Sequence, residues 1–177
     1  MGEILDEKEK AAALKKIQLF SDLSDKELHQ INSKIALKLF RKNETILYEE
    51  DTSEFMYIIL SGKVKVLKTT GEGKEIIFAM HNAGSFFGEM SLIDGKTSPA
   101  SVMAIEDSII SVISKNDFYA LLFAHKRVLE NLLTILSSRL RSSWGTIKLL
   151  NFNNASQRKE PYSLCSLKST VKEPPKG

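Results

Sequence analysis

The hydrophobic residues between Leu37 and Ile113 recur with a period of two, and this pattern constrains the fold more than any other feature of the chain. Phe55, Tyr57 and Ile59, for example, alternate with other residues, which is typical of β-strands because successive side chains point to opposite faces. Short turn segments with Gly or Asn interrupt the pattern. Turns at this spacing favour a small antiparallel barrel or sandwich.

Helical segments flank the β region on both sides. Residues 5–35 include an alanine run, and Ser24 and Glu27 form a capping-box pattern, so we expect two short helices there. The pattern is helical again over residues 114–150. We therefore divide the chain into an N-terminal helical segment at 1–35, a β region at 36–114, C-terminal helices at 115–152 and a disordered basic tail at 153–177.

The basic charge of the chain is concentrated in this tail. The formal net charge is +3, and residues 153–177 hold five basic and two acidic side chains (5 − 2 = +3), which leaves residues 1–152 near neutral. Nucleic-acid-binding proteins usually have a basic face on their folded part. Three of the four prolines also lie in the tail. A solvated, disordered segment is therefore the interpretation we prefer.

The composition argues against several classes of protein. Cys165 is the single cysteine, so it has no internal disulfide partner, and the three histidines lack the spacing of metal ligands. No hydrophobic run approaches the roughly 18 residues of a membrane-spanning helix. The sequence also has no Gly-x-Ser-x-Gly, Walker or Cys–His motif. We expect a cytoplasmic, non-enzymatic protein without a metal or cofactor.

Seven residues near the end of the helical region recur at alternating spacings of four and three, which is the pattern of a coiled-coil seam. A seam of this kind predicts a parallel homodimer. The alternative is a single amphipathic helix that packs on its own β region, and this alternative explains the additional apolar residues Leu132 and Ile135. The seven positions are Leu129, Leu133, Leu136, Leu140, Ser143, Ile147 and Leu150, of which the first four form the predicted dimer contact.

The segment from Asn82 to Val102 carries the clearest chemical signal. Gly88 precedes residues that favour a short helix, and the first N–H groups of a helix have no intrahelical acceptor, so they suit a phosphate. Glu89 lies in the first turn of this helix. Its carboxylate either favours the helix dipole or accepts hydrogen bonds from sugar hydroxyls. Spacing alone leaves both roles open.

Three segments together resemble the cyclic-nucleotide-binding domain family. They are Tyr57–Val66, Gly84–Ile93 and Ala100–Val102, and the resemblance covers roughly Leu19 to Trp144. The family includes catabolite-activator-type regulators, regulatory subunits of the cyclic-AMP-dependent kinase and nucleotide-gated channels. The resemblance implies an antiparallel, eight-stranded β-roll flanked by helices, with the phosphate-binding cassette inside the roll and cyclic AMP or cyclic GMP as the ligand.

The resemblance also assigns ligand-binding roles. In the family, backbone amides of the short helix and an arginine at the start of the next strand hold the cyclic phosphate, and the glutamate matching Glu89 binds the ribose 2′-hydroxyl. Here Ser98 stands at the arginine position, and Pro99 after it has no N–H. Losing both contacts predicts weaker binding by roughly two to three decades. The implied ligand-binding residues are Phe87, Gly88, Glu89, Met90, Ser91, Ser98, Pro99, Ala100 and Ser143.

Other positions bear on the same region. Members often have glycine at the positions of Asn43 and Glu50, and we expect Glu50 to reshape its turn because it adopts left-handed geometry poorly. Lys96 is near Ser98 in sequence, but we interpret it as an exposed loop lysine. Trp144, after the Ser143 that matches a base-contacting hydroxyl, either stacks on a purine or packs on the β-roll.

Two functional interpretations remain open. The first is a regulator that senses a cyclic nucleotide or a related anionic ligand and signals to an unknown protein effector through its C-terminal helix. The second is a ligand-free protein-interaction or dimerisation module on the same fold. The residues after the long helix are too few for the winged helix-turn-helix of catabolite-activator-type regulators. We therefore expect neither a DNA-binding domain nor a membrane partner.

Overall fold

The computed structural model describes residues 6–157 of the chain. The predicted tail lies mostly outside these residues, as does Cys165. Within residues 6–157, no helix is both long enough and apolar enough to cross a membrane.

The N-terminal helices begin at well-defined caps. Helix α1 spans Glu7–Lys15, a 3₁₀ turn spans Gln18–Phe20, and α2 spans Asp25–Asn32. At the start of α2, the Ser24 hydroxyl accepts a hydrogen bond from the Glu27 amide, and the Glu27 carboxylate accepts one from the Ser24 amide. This reciprocal arrangement satisfies two amides that lack helical acceptors, and it confirms the predicted capping box.

Eight strands in residues 6–157 form two four-stranded antiparallel sheets, which confirms the predicted β-roll. One sheet has the order β1-β8-β3-β6 and the other has the order β2-β7-β4-β5. The strands are β1 (Ala36–Phe40), β2 (Thr45–Leu47), β3 (Phe55–Ser61), β4 (Lys63–Thr69), β5 (Glu75–Asn82), β6 (Phe86–Phe87), β7 (Ser101–Ala104) and β8 (Ser108–Ser114).

Strand β3 is buried on both of its faces. Tyr57 and Ile59 point into a cluster between the two sheets, whereas Ile58 points to a second cluster beneath the helices. Successive side chains of a strand alternate between faces, so both faces of β3 are buried. The cluster between the sheets consists of Leu47, Tyr57, Ile59, Val64, Phe87, Val102, Ile110 and Val112.

Two turns contain non-glycine residues in the left-handed region. Asn43 has a φ of 68° and Glu50 has a φ of 66°. Glu50 therefore adopts the conformation that glycine would take, and the expectation that it reshapes its turn is wrong. Left-handed geometry costs roughly 1–2 kcal/mol for a residue with a Cβ, so the surrounding contacts must hold Glu50 in place.

Helix α3 spans Glu89–Asp94, between β6 and β7, and two helices follow the last strand. The Ser114 hydroxyl accepts a hydrogen bond from the Asp117 amide and caps α4 (Lys115–Ala124). Helix α5 spans Lys126–Gln157. The chain divides into two compact units after Leu136, and the first unit contains both sheets and the beginning of α5.

Candidate ligand-binding site

Gly88 begins the predicted cassette. Neither its conformation nor its surroundings accept a side chain. It follows β6 directly and has a φ of 82°, in the left-handed region. A Cβ atom at this position would lie 2.9 Å from the carbonyl oxygen of Phe55 and 3.0 Å from the ring of Tyr57. The backbone at Gly88 therefore packs directly against β3, and α3 begins from this fixed point.

A pair of stacked rings holds the preceding strand against β3. The rings of Tyr57 and Phe87 have centroids 5.1 Å apart and planes inclined by 9°, and the two residues are paired in the sheet register. Offset stacking of this kind contributes beyond the burial of apolar area. The Phe87 side chain belongs to the cluster between the sheets, and its predicted role in ligand binding stays a prediction.

Helix α3 turns one face inward and the other outward. Glu89 is only 3% exposed, and Ser91 and Leu92 are buried, whereas Met90 is 54% exposed. The structure thus brings the predicted site residues Gly88, Glu89 and Ser91 together at the start of α3, and it directs the Met90 side chain to the surface. The Met90 side chain is consequently a poor candidate for a ligand contact.

The far end of α3 is anchored to α4. The hydroxyl of Tyr119 donates a hydrogen bond of 2.7 Å to the carbonyl oxygen of Leu92. Gly95 ends the helix with a φ of 70°. Tyr119 was not identified from the sequence, because a tyrosine in a helix does not reveal which carbonyl its hydroxyl will reach.

The segment that lacks the family's arginine is closed by internal hydrogen bonds. The Ser98 amide donates to the carbonyl oxygen of Asp51 at 2.9 Å, and the Glu50 amide donates to the carbonyl oxygen of Ser98 at 2.9 Å. The Ser98 hydroxyl donates to the carbonyl oxygen of Ala100 at 2.8 Å, and Ser98 is 4% exposed. Its one hydroxyl proton is therefore already used within the loop.

The charges around this loop are mainly acidic. The two segments that meet at Ser98, residues 50–51 and 87–100, contain four acidic side chains and one lysine. The backbone amide of that lysine, Lys96, donates a hydrogen bond of 3.0 Å to the Asp94 carboxylate. Among residues 6–157, no group of three or more His, Cys, Asp or Glu side chains is arranged to hold a metal ion.

The remaining predicted site residues, Pro99, Ala100 and Ser143, lie in different parts of the structure. Ala100 is buried and Pro99 is exposed, on either side of the loop bend. Ser143 lies in the second compact unit, where its hydroxyl donates to the carbonyl oxygen of Arg139. Its role in ligand binding stays a prediction. Glu50 and Asp51, which hold Ser98 through their backbones, were missed as site residues because pairing between distant segments leaves no local pattern in the sequence.

Comparisons with known proteins agree with this geometry. The sequence profile described as the cyclic nucleotide-binding domain matches residues 37–125, half of the chain. The cyclic AMP receptor protein of Thermus thermophilus is 33% identical over 84% of this chain and 68% of its own length.

Two crystal structures have the same fold. The Thermus thermophilus catabolite activator protein superposes with a TM-score of 0.68 and 32% identity, over 76% of this chain and 63% of that chain. A cyclic nucleotide-binding domain from Methylobacillus flagellatus superposes with a TM-score of 0.68 and 31% identity, over 80% of this chain and 82% of that chain. The chain thus spans somewhat under two thirds of the solved Thermus protein.

Proposed function

Because this chain belongs to the cyclic nucleotide-binding domain family, we propose that it is a non-enzymatic regulatory module. In this proposal, a small ribose-containing ligand of the cyclic-nucleotide type binds beside Gly88 and Glu89, and binding is signalled through α5. The similar proteins include a cyclic AMP receptor protein and cAMP-dependent protein kinase regulatory subunits, which supports a regulatory rather than a catalytic role.

The position of Glu89 is the observation that carries this proposal. It is 3% exposed and follows directly on the left-handed Gly88, at the position where the family has its ribose-binding glutamate. A ribose hydroxyl is a donor of the kind that suits a carboxylate acceptor, so the residue type at this position favours a sugar ligand.

Recognition of a phosphate is the weaker part of the proposed site. The first amides of α3, at Met90 and Ser91, have no acceptors within the helix. However, Ser98 supplies no charge and Pro99 supplies no amide. A charge-assisted contact contributes about 1.5–3 kcal/mol and an amide about 1 kcal/mol more. We therefore expect cyclic nucleotides to bind about 100 to 1,000 times more weakly than with an intact arginine contact.

Signalling in this proposal passes from α3 to α4. The Tyr119 hydroxyl bonds to Leu92 at the end of α3, and α4 leads through His125 into α5. A ligand that binds one arrangement of these helices more tightly than another shifts their populations by that difference in affinity. Tyr119 is therefore the proposed link between the binding site and the long helix.

Part of α5 supports the proposed parallel homodimer. Leu133 and Leu140 are 56% and 55% exposed, and Leu129 is also exposed. Leu136, by contrast, packs against the core of its own chain, so this predicted dimer contact is better assigned to internal packing. Exposed leucines at seam spacing are the residues that a second copy would cover.

Thermal unfolding with millimolar cyclic AMP or cyclic GMP tests the ligand. A ligand at 100 times its Kd stabilises the native state by about 2.7 kcal/mol, so we expect a measurable rise in Tm. The double substitution Ser98→Arg and Pro99→Ala should strengthen binding by the factor given above. Lys74→Ala, on the exposed turn between β4 and β5, serves as a control that leaves both values unchanged.

The alternative, a ligand-free interaction module, makes the opposite prediction. In that case neither cyclic nucleotide raises Tm, and Glu89→Gln leaves every ligand titration unchanged. If neither cyclic nucleotide and neither parent nucleoside raises Tm, this chain is not a sensor of this class.

A further inference from the structure

A cavity of about 360 Å³ lies between α2 and α4. Its described lining comes from α2 and the residues after it, from the end of β8 and from α4, so it is separate from the cassette at residues 88–91. We propose that this cavity is a second ligand site, which binds a small carboxylate with an alkyl body. The inference does not depend on the proposed nucleotide site.

The size and the apolar lining of the cavity suit an alkyl chain. Small-molecule sites usually have volumes of about 300–1,000 Å³. At about 30 Å³ for each water-sized group, this cavity holds roughly a dozen heavy atoms. Four of its apolar lining residues are buried and two are alanines. These six residues are Ile31, Ile35, Ile113, Ala120, Leu121 and Ala124.

The two alanines keep the cavity open on the side of α4. Ala120 and Ala124 are one helical turn apart and therefore share a face of the helix, and both are exposed. Their methyl groups leave space between the helices that a larger side chain would fill. An alkyl chain in this space is removed from water, and the loss of exposed apolar surface favours its binding.

Two of the three ionisable side chains in the described lining already have partners. The Asp117 carboxylate accepts a hydrogen bond of 2.6 Å from the Ser114 hydroxyl. The Nδ1 atom of His125 lies 3.1 Å from Oε1 of Glu27. The third ionisable side chain, Lys34, is exposed, and within residues 6–157 it has no carboxylate partner. Its ammonium group is therefore the charge that is available to a ligand.

A buried lysine adds positive charge behind the same wall of the cavity. The ammonium group of Lys10 donates hydrogen bonds of 2.9 and 3.1 Å to the carbonyl oxygens of Asn32 and Ile35, and Lys10 is 8% exposed. Both acceptors are uncharged, and burial reduces the screening of this charge by salt. Two cations thus lie on the α2 side, whereas the acidic lining residue belongs to α4. A carboxylate at the α2 side is attracted by both cations.

Calorimetric titration of the full chain with three ligands of equal chain length tests the inference. The ligands are octanoate, octanol and octylammonium, each below its micelle concentration and at the same ionic strength. We expect octanoate to bind with a Kd of about 1 mM or lower. Because the exposed Lys34 contributes a modest charge interaction, octanoate should bind about threefold or more tightly than octanol. Octylammonium should bind most weakly.

Two variants with matched controls locate the site. Lys34→Glu should lower the octanoate affinity by about three- to tenfold. Lys26→Glu makes the same charge change at an exposed position of α2 outside the lining and should have no such effect. Ala120→Phe should fill the cavity and abolish octanoate binding. Asn116→Phe, at an exposed position of α4 outside the lining, should leave binding unchanged.

The result is decided by the binding of octanoate and by its dependence on these residues. The Tm of each variant without ligand shows that it is folded, and Lys34→Glu remains informative if Ala120→Phe is not. The inference is wrong if octanoate does not bind, if octylammonium binds at least as tightly, or if each variant binds octanoate like its control. None of these results affects the proposed nucleotide site, which has its own test with cyclic AMP and cyclic GMP.

Discussion

Replacing Gly88 with alanine should cost far more stability than the same change at Gly73 or Gly95, which have a similar conformation and open surroundings. Gly88 has a φ of 82°, and a Cβ there meets the Phe55 carbonyl oxygen at 2.9 Å. Gly73 has a φ of 79°, and a Cβ there meets nothing within 4 Å. The two positions thus share the backbone penalty and differ only in available space.

The magnitude follows from these two terms. Left-handed geometry costs an alanine roughly 1–2 kcal/mol at either position. At Gly88 the methyl group also approaches backbone and ring atoms of β3, and overpacking of this kind costs about 1–3 kcal/mol. We therefore expect Gly88→Ala to lower the free energy of unfolding by about 2–5 kcal/mol. Gly73→Ala should lower it by about 1–2 kcal/mol.

Urea unfolding followed by circular dichroism measures both variants. Changes in the unfolded chain are similar for two Gly→Ala substitutions, so they cancel when the variants are compared. Gly95→Ala, with a φ of 70° and nothing within 4 Å of its Cβ, provides a second control within the site. Equal losses at Gly88 and Gly73 would refute the close packing of Gly88 against β3.

Two further predictions concern the surface and pH. Leu133→Asp should weaken self-association in sedimentation experiments and leave the circular dichroism spectrum unchanged, because Leu133 is 56% exposed within its own chain. Phe123→Asp on α4 is the control, and an unchanged association constant for Leu133→Asp contradicts the proposed seam. Hydrogen bonds from Ser24, helped by His125, lower the pKa of Glu27 from 4.5 to about 2. Because the folded-state pKa is depressed, its stabilisation is complete above pH 4.5 and lost as the pH falls towards 2. Glu27→Gln should reduce the slope of the free energy of unfolding against pH in that window. A slope equal to that of the wild-type protein argues against this capping interaction.

Much of the framework was predictable because its determinants are local. The alternation around Tyr57 and Ile59 indicated β-strands, and Ser24 with Glu27 indicated a helix start. Gly88 was recognised because its side-chain-free position and the helix after it are adjacent in sequence. These features depend on neighbouring residues, so periodicity and spacing reveal them.

The details that were missed or wrong depend on distant partners. Glu50 adopts a φ of 66° despite its intrinsic preference, and its amide bonds to Ser98, far along the chain. Leu136 lies at a seam position, yet it packs on its own core. A heptad pattern does not distinguish contact with a second chain from contact within one, because both bury the same kind of residue.

The pairing of residues 50–51 with Ser98 uses only main-chain atoms, in two of the three hydrogen bonds that close this loop. Main-chain atoms that every residue except proline carries therefore maintain the path of this loop. A substitution at position 98 therefore changes which ligands bind there, while the main-chain hydrogen bonds of the loop are kept. One or two substitutions in this loop are therefore enough to change the ligand preference while the fold is kept.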